Sequence, residues 1–184
     1  SKRSAQFTND RFTTDNVYVT TGETFTIFYI MKKTSVSSAN DAFITGTEGD
    51  PANELRHASH RALQIQCNGE VDSDSDNSIL TMYTDDTNGS TSDITMDTDA
   101  HLFIWTKTAD ETVNVYQDTS FMTTGTHPTD GDETTNFRIE NLGEENDQGS
   151  GLEGHIGELG IYNKVLSADE ISQLQTFLIA KWGL

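Results

Sequence analysis

Acidic residues at alternating positions are the side chains in this sequence whose type and spacing could do chemistry. Asp72, Asp74 and Asp76 lie in the stretch DSDSDN, where oxygens at every second position can converge on one hard cation such as calcium. The stretch is not an EF-hand loop, because Asn77 and Tyr83 occupy the positions where that loop needs glycine and glutamate. The sequence therefore leaves two interpretations open, a looser calcium site or a solvated acidic loop.

The nearest match to a pair of glycosidase carboxylates is Glu70, followed by Asp72 and Asp74. Residues two apart in a strand face the same way about 6–7 Å apart, and a retaining glycosidase needs carboxyl groups about 5–5.5 Å apart. Here the third carboxylate is the shorter Asp, and no apolar residue after Val71 holds the segment in a central strand. No G-x-S-x-G nucleophile elbow is present either. We therefore predict that the chain is not an enzyme, and a polysaccharide hydrolase or lyase is the weakest alternative.

Other candidate ligand contacts lie in acid-rich stretches between apolar segments, where binding residues often occur. These are Asp85, Asp86 and Asn88 in one stretch and Asp147 in another, and both stretches are also candidates for a loose calcium site. Trp105 could stack on a sugar ring, together with Tyr29, Phe28 and Tyr83. Aromatic residues in strands more often belong to the core, so both interpretations of Trp105 stand at this point.

The charge balance excludes several classes of partner. The 184 residues contain 11 basic and 30 acidic side chains, for a net charge of −19. Nucleic acids and anionic membrane surfaces need a basic surface, so neither is an expected partner. No run approaches the ~20 apolar residues of a membrane-spanning helix, and the first residues lack the pattern of a signal peptide. Cys67 is the single cysteine, so packing rather than a disulfide must hold the fold.

Short apolar segments separated by Gly, Asn, Asp and Thr predict an antiparallel β-sandwich. Apolar residues fall on both faces of the segment from Thr24 to Lys32, which predicts either a central strand covered on both sides or a strand that lines a shallow groove. The stretches 47–61, 70–78, 84–100, 118–135 and 140–153 are predicted to be loops. The predicted strands are Ser4–Phe7, Asn16–Thr20, Phe25–Lys32, Ala42–Thr45, Ala62–Cys67, Ile79–Tyr83, His101–Thr108, Thr112–Gln117, Asn136–Ile139 and His155–Tyr162.

The end of the chain predicts one amphipathic helix over about residues 167–182. Ser167 and Glu170 have the spacing of a capping box, and Leu166 and Ile171 that of a hydrophobic staple. Gly183 fits the helix stop. One face carries apolar residues at helical spacing and should dock on the sandwich; these are Ile171, Leu174, Leu178 and Trp182.

The stretches 154–167, GHIGELGIYNKVLS, and 177–183, FLIAKWG, resemble the closing segment of the laminin-G/concanavalin-A-like superfamily, in its bacterial and phage branch. His101 to Ile104 resembles the family strand that begins with His. Where the family hairpin after that strand commonly has an Asn-Gly turn, this chain has YQDTS at 116–120, so a longer or differently bent hairpin is expected. The resemblance implies one all-β domain over 1–184, a jelly-roll sandwich of two antiparallel sheets with a short C-terminal α-helix.

Members of this superfamily bind glycans, bind proteins, decorate virions or hydrolyse polysaccharides, and fold alone does not choose among these roles. The leading prediction is a non-catalytic recognition module that binds a glycan or a protein surface through sheet-edge loops, with calcium as its one candidate cofactor. The alternative is a virion decoration or tail-associated protein that contacts capsid or tail proteins and can form an oligomer. Both place the chain outside the cell or on a virion surface.

Overall fold

Two antiparallel sheets of six strands each form the body of the protein in a computed structural model. The structure describes residues 4–8, 12–20, 24–34, 41–48, 61–68, 78–83, 89–109, 112–126, 136–142 and 153–184. The strands in these ranges are β1 (Ala5–Thr8), β2 (Phe12–Thr20), β3 (Phe25–Lys33), β4 (Asp41–Glu48), β5 (Arg61–Asn68), β6 (Ser78–Tyr83), β7 (Gly89–Met96), β8 (Ala100–Lys107), β9 (Thr112–Gln117), β10 (Ser120–Thr126), β11 (Asn136–Leu142) and β12 (Glu153–Tyr162), followed by the helix α1 (Ala168–Trp182).

The strand order confirms the predicted two-sheet jelly-roll sandwich. Sheet 1 has the order β1-β12-β3-β8-β9-β10, and sheet 2 has the order β2-β11-β4-β5-β6-β7. Neighbours in each sheet pair antiparallel. The edge strands β7 and β10 belong to different sheets but lie beside each other, so the sandwich is nearly closed along that side.

Two of the predicted loops each contain a strand, so those predictions were wrong in part. β7 lies within 84–100 and β10 within 118–135. Both are the last strands of their sheets. An edge strand has a neighbour on one side only and tolerates polar residues along its length. The apolar pattern that signals a strand is therefore weak in GSTSDITM and SFMTTGT.

Sheet 1 is apolar on both faces at its centre, as the sequence predicts for the β3 segment. One face of β3 and β8 carries fully buried side chains that are in register across the pair, with Ile27 opposite Trp105 and Tyr29 opposite Phe103. The other face lies beneath α1 and carries a second buried cluster. That cluster consists of Phe28, Ile30, Leu102, Ile104, Leu166, Ile171 and Leu178. Since α1 covers only this second face, the first face is the core between the two sheets.

The helix α1 begins and ends as predicted. Ser167 Oγ accepts a hydrogen bond from the Glu170 backbone N–H, and the Glu170 carboxylate accepts one from the Ser167 N–H at 2.8 Å. Gly183 ends the helix in the left-handed conformation at φ 72°, which favours glycine. Leu166 and Ile171 are both buried in the cluster under α1. An N-cap serine such as Ser167 stabilises a helix by about 1 kcal/mol.

Within the described ranges, no helix has the length and hydropathy that a bilayer span requires.

Candidate functional site

The directions of the strands assign the candidate segments to two opposite ends of the sandwich. The chain leaves sheet 2 at Met96, where β7 ends, and starts β8 of sheet 1 at Ala100, so these strand ends lie at one end of the molecule. Met96 is opposite Ser78, where β6 begins. Gln117, where β9 ends, also lies there, because β9 runs antiparallel to β8. We call this the His101 end, after the second residue of β8.

Three side chains at this end form the His101 cluster, which consists of Asp97, His101 and Asp118. His101 Nδ1 lies 2.7 Å from Asp118 Oδ2, and His101 Nε2 lies 3.0 Å from Asp97 Oδ1. The other Asp118 oxygen accepts a hydrogen bond from the Leu102 backbone N–H at 3.0 Å. Asp97 Oδ1 also accepts one from the Asp99 N–H at 2.7 Å. The cluster thus connects the 97–99 crossover to β8 and to the turn after β9.

The turn that carries Asp118 corrects the expectation of a longer hairpin. Gln117 pairs with Ser120, so only Asp118 and Thr119 form the loop between β9 and β10. Asp118 has φ 53°, in the left-handed region that a two-residue hairpin turn requires and that Asp tolerates better than most residues. Its backbone N–H donates to Leu102 O at 2.8 Å. Asp118 is therefore the first residue of a two-residue turn and adds a carboxylate beside His101.

The two carboxylates favour the charged form of His101. Partial burial alone would lower the pKa of His101, but the hydrogen bonds and charges of Asp118 and Asp97 outweigh it. The pKa of His101 is therefore raised above its ordinary value of 6.5. Partial burial acts to raise the pKa of Asp97, whereas the Asp99 N–H and His101 lower it by more. Each ring nitrogen of His101 lies at hydrogen-bond distance from a carboxylate oxygen.

The chemistry open to the His101 cluster is limited, because both ring nitrogens are occupied. A general base or a metal ligand needs a free imidazole nitrogen. Across the described ranges, no group of three or more His, Cys, Asp or Glu side chains has an arrangement that could hold a metal ion. The cluster therefore acts as a tie between segments, and its exposed member is Asp97, whose side chain is 58% accessible.

Two further carboxylates in the described part of the chain are also engaged. Glu158 Oε2 accepts hydrogen bonds from Lys181 Nζ at 2.7 Å and from Trp182 Nε1 at 2.9 Å. Glu170 is held by the helix cap and by Lys164. The Lys181 hydrogen bond is the main reason that the pKa of Glu158 is lowered, and Lys164 is the main reason that the pKa of Glu170 is about 2. Neither carboxylate has the raised pKa of a general acid.

Trp105 lies in the core, which corrects the prediction that it contacts a ligand. Its side chain is 0% exposed, and its indole N–H donates to Tyr29 Oη at 2.9 Å. Tyr29 is also fully buried, and Phe28 lies under α1. These three aromatic rings are therefore closed to a sugar, and the core interpretation of Trp105 is confirmed.

The remaining predicted site residues lie outside the described residues: Asp72, Asp74, Asp76, Asp85, Asp86, Asn88 and Asp147. The strand ends that flank them are described. Asn68 and Ser78, which flank 69–77, lie at the His101 end, and so do Leu142 and Glu153, which flank 143–152. Tyr83 and Gly89, which flank 84–88, lie at the opposite end.

The members of the His101 cluster were not predicted as a group from the sequence. Asp97 and His101 are four residues apart, and Asp118 is far from both along the chain. The available signal was Asp118, which lies in the stretch where the family commonly has its turn. Asp118 directly follows β9, and β9 pairs with β8, the strand that carries His101.

Two adjacent register rows of sheet 2 differ in residue type. One row crosses five neighbouring strands and contains Thr13, Asn141, Thr45, Gln64 and Tyr83. The adjacent row, one residue along each strand, contains Phe12, Leu142, Ile44, Ile65 and Met82. Consecutive residues of a strand belong to opposite faces of its sheet. These two neighbouring rows of sheet 2 therefore differ in residue type, one polar and one apolar.

Comparison with known proteins identifies the family of this architecture. The family model described as the concanavalin A-like lectin/glucanases superfamily matches residues 6–172. No curated protein matches the sequence significantly.

Solved structures with the same fold have low sequence identity to this chain. The native heptameric SAP-like pentraxin from Limulus polyphemus has a TM-score of 0.63 at 14% identity, over 94% of this chain and 80% of the pentraxin. The CBM40 of a Ruminococcus gnavus IT-sialidase, bound to α2,3-sialyllactose, has a TM-score of 0.59 at 16% identity, over 85% of this chain and 84% of that chain. A Trypanosoma rangeli sialidase has a TM-score of 0.60 at 14% identity, but the match covers 86% of this chain and only 23% of the sialidase.

Proposed function

The chain belongs to the concanavalin A-like lectin/glucanases superfamily, and from this premise we propose that it is a non-catalytic glycan-binding module. The observation that carries the proposal is the polar row on sheet 2, which consists of Thr13, Asn141, Thr45, Gln64 and Tyr83. Amide, phenol and hydroxyl groups can both donate to and accept from the hydroxyls of a sugar.

The opposite sheet supports this choice of face. Sheet 1 has its outer face covered by α1, which packs on Phe28, Ile30, Leu102 and Ile104. The apolar row of sheet 2 is suited to the core between the sheets, and we propose that the polar row belongs to the outer face. An extended face that carries polar groups and one tyrosine suits a sugar chain better than it suits an apolar ligand.

The predicted ligand contacts at 85–88 follow the last residue of this row closely in the sequence. Tyr83 is the last residue of β6 and pairs with Gly89, the first residue of β7. We propose that Asp85, Asp86 and Asn88 add oxygen acceptors for sugar hydroxyls at that end of the row. For Asp72, Asp74 and Asp76 we retain the proposal of calcium ligands, and for Asp147 that of a ligand contact.

The net charge favours a neutral glycan. The chain carries a formal charge of −19, and a like-charged ligand must approach against that repulsion. The Ruminococcus gnavus module in the comparison is bound to a sialylated sugar, which is anionic. We therefore propose neutral hexose or N-acetylhexosamine chains as the ligand class, with anionic glycans bound only where calcium bridges the charges.

Four carboxylates of the described residues are held in structural contacts, which supports binding over hydrolysis. A glycosidase needs a carboxylic acid and a second, free carboxylate. Asp97, Asp118, Glu158 and Glu170 are instead each engaged by an imidazole, a backbone N–H or a lysine.

The test is a glycan array that carries neutral and sialylated sugars, probed with and without a calcium chelator. We expect binding to neutral sugars in the wild type and its loss in Gln64→Ala and Tyr83→Ala. Phe177→Ala is the matched control, because it removes a 60% exposed aromatic ring on α1, away from sheet 2. Loss of binding in the control, or retention in both row variants, contradicts the proposed face.

An array on which nothing binds, with or without chelator, contradicts the glycan proposal and favours the protein-surface alternative. Size-exclusion chromatography with light scattering then tests the virion proposal, since a symmetric oligomer supports assembly with capsid or tail proteins. Location outside the cell or on a virion surface is part of both proposals.

A further inference from the structure

One imidazole contacts three structural elements, two of which follow each other directly in the sequence. His101 belongs to β8, Asp97 lies in the crossover from sheet 2 to sheet 1, and Asp118 lies in the turn between β9 and β10. The ring nitrogen Nδ1 of His101 lies 2.7 Å from a carboxylate oxygen of Asp118, and Nε2 lies 3.0 Å from one of Asp97. The crossover is short, so its attachment to His101 bears directly on where β7 ends and β8 begins.

Both contacts require the protonated ring. A carboxylate can only accept a hydrogen bond, and neutral imidazole has one N–H donor and one acceptor nitrogen. When His101 loses a proton, one of the two carboxylates faces a nitrogen lone pair at hydrogen-bond distance. That contact is repulsive, so one of the two must open.

The structure indicates which contact opens. Asp118 is held in place by three further features: its second oxygen accepts from the Leu102 N–H, its own N–H donates to Leu102 O, and it occupies a two-residue turn. Its side chain is 34% exposed. Asp97 has the longer contact with the ring and a side chain that is 58% exposed, so water can replace His101 at low cost.

We propose that the His101 cluster is a proton-dependent latch, in which the imidazolium holds the 97–99 crossover against β8 and deprotonation releases Asp97 while Asp118 stays bound. Release loosens the crossover at the end of the edge strand β7. The proposal rests on the geometry of the cluster and does not depend on the identity of the ligand.

The charges around the ring set the pH range. On β3, Met31 is opposite His101, and Lys32 and Lys33 follow it, the first exposed and the second buried. Asp99 lies in the crossover, and β9 ends in the neutral Gln117. Because Asp118 and Asp97 together raise the pKa of His101, the latch is closed below pH 6.5 and opens as the pH rises through the higher folded value.

The test is an NMR titration of the intact protein that follows the His101 imidazole and the Asp99 backbone amide, which donates to Asp97 Oδ1 at 2.7 Å. We expect the imidazole to titrate with a midpoint above 6.5 and the Asp99 amide shift to change with that same midpoint. Above the midpoint, ¹⁵N shifts of the ring should show the proton on Nδ1, bonded to Asp118, and a bare Nε2.

Two variants with the same change of charge separate the latch from general electrostatics. Asp97→Asn should lower the His101 midpoint and uncouple the Asp99 amide from it. Asp99→Asn retains the backbone donor and should leave the coupled transition in place. The resonances of His155 provide an internal reference and are assigned with His155→Gln.

Three results would overturn the proposal. They are a His101 midpoint at or below 6.5, an Asp99 amide that does not follow the imidazole, and a neutral ring protonated on Nε2. The wild-type titration alone yields all three readouts, so the outcome does not depend on the folding of either variant.

Discussion

The indole Nε1 of Trp182 donates a 2.9 Å hydrogen bond to Oε2 of Glu158, 24 residues earlier in the chain. Lys181 Nζ donates to the same oxygen at 2.7 Å. The last turn of α1 is therefore fixed to β12 by a single carboxylate. Glu158, Lys181 and Trp182 all belong to the stretches that resemble the superfamily, so the resemblance describes how the sandwich is closed rather than how it binds a ligand.

Replacement of Glu158 should destabilise the fold. Glu158→Gln removes the charge that Lys181 and Trp182 share, and we expect a loss of about 1 kcal/mol, since the pair is partly exposed and screened by solvent. Urea denaturation at neutral pH measures the loss. Asp99→Asn removes an equal charge from a side chain outside this contact and should change the free energy of unfolding by less than half as much. Equal effects in the two variants would refute the assigned role of Glu158.

Gly157 lies directly beneath the indole of Trp182. A Cβ at this position would lie 2.8 Å from the ring, so Gly157→Ala must displace Trp182. We expect a destabilisation of about 1–3 kcal/mol, as for other overpacked cores. In the Trp182→Leu background the ring atoms are absent, so the same substitution should cost markedly less. A double-mutant cycle without coupling would contradict this contact.

Gln175 carries the buried side-chain nitrogen for which the described residues provide no hydrogen-bond partner. Its side chain is 8% exposed and lies on the buried side of α1 between Ile171 and Leu178. Because an unpaired buried amide costs about 1–3 kcal/mol, Gln175→Met should raise the free energy of unfolding by about 1–2 kcal/mol. Gln173→Met, on the exposed side of the same helix, is the matched control and should be close to neutral. Stability that falls in Gln175→Met would show that the amide is paired.

The capping box should make stability depend on acid. The pKa of Glu170 is lowered from 4.5 to about 2, first by Lys164 and then by Ser167. A lowered carboxylate pKa stabilises the fold above the unfolded value of 4.5 and loses this contribution as the pH falls toward 2. The thermal midpoint of the wild type should therefore fall more steeply between those values than that of Glu170→Gln. Parallel profiles for the two proteins would contradict a role of Glu170 in acid stability.

The sequence alone predicted those parts of the structure that depend on neighbours in the chain. The capping box at Ser167, the glycine stop at Gly183 and the apolar face of α1 follow from rules that act within one or two turns of a helix. The central strand β3 was also predicted, because apolar side chains on both faces require cover on both sides. The edge strands β7 and β10 were missed, since an unpartnered edge permits polar residues that look like a loop.

The tertiary structure decided which distant residues meet. The residues that flank Trp105 in the sequence are compatible with a core position and with a ligand contact. Only its register opposite Ile27 and its hydrogen bond to Tyr29 place it inside. The two carboxylates of the His101 cluster are 21 residues apart, from 97 to 118, and meet because β8 pairs with β9. The polar row of sheet 2 arises in the same way. Pairing register is a non-local property, and a shift of one residue would exchange the two faces of a strand, so local sequence patterns could not assign these contacts.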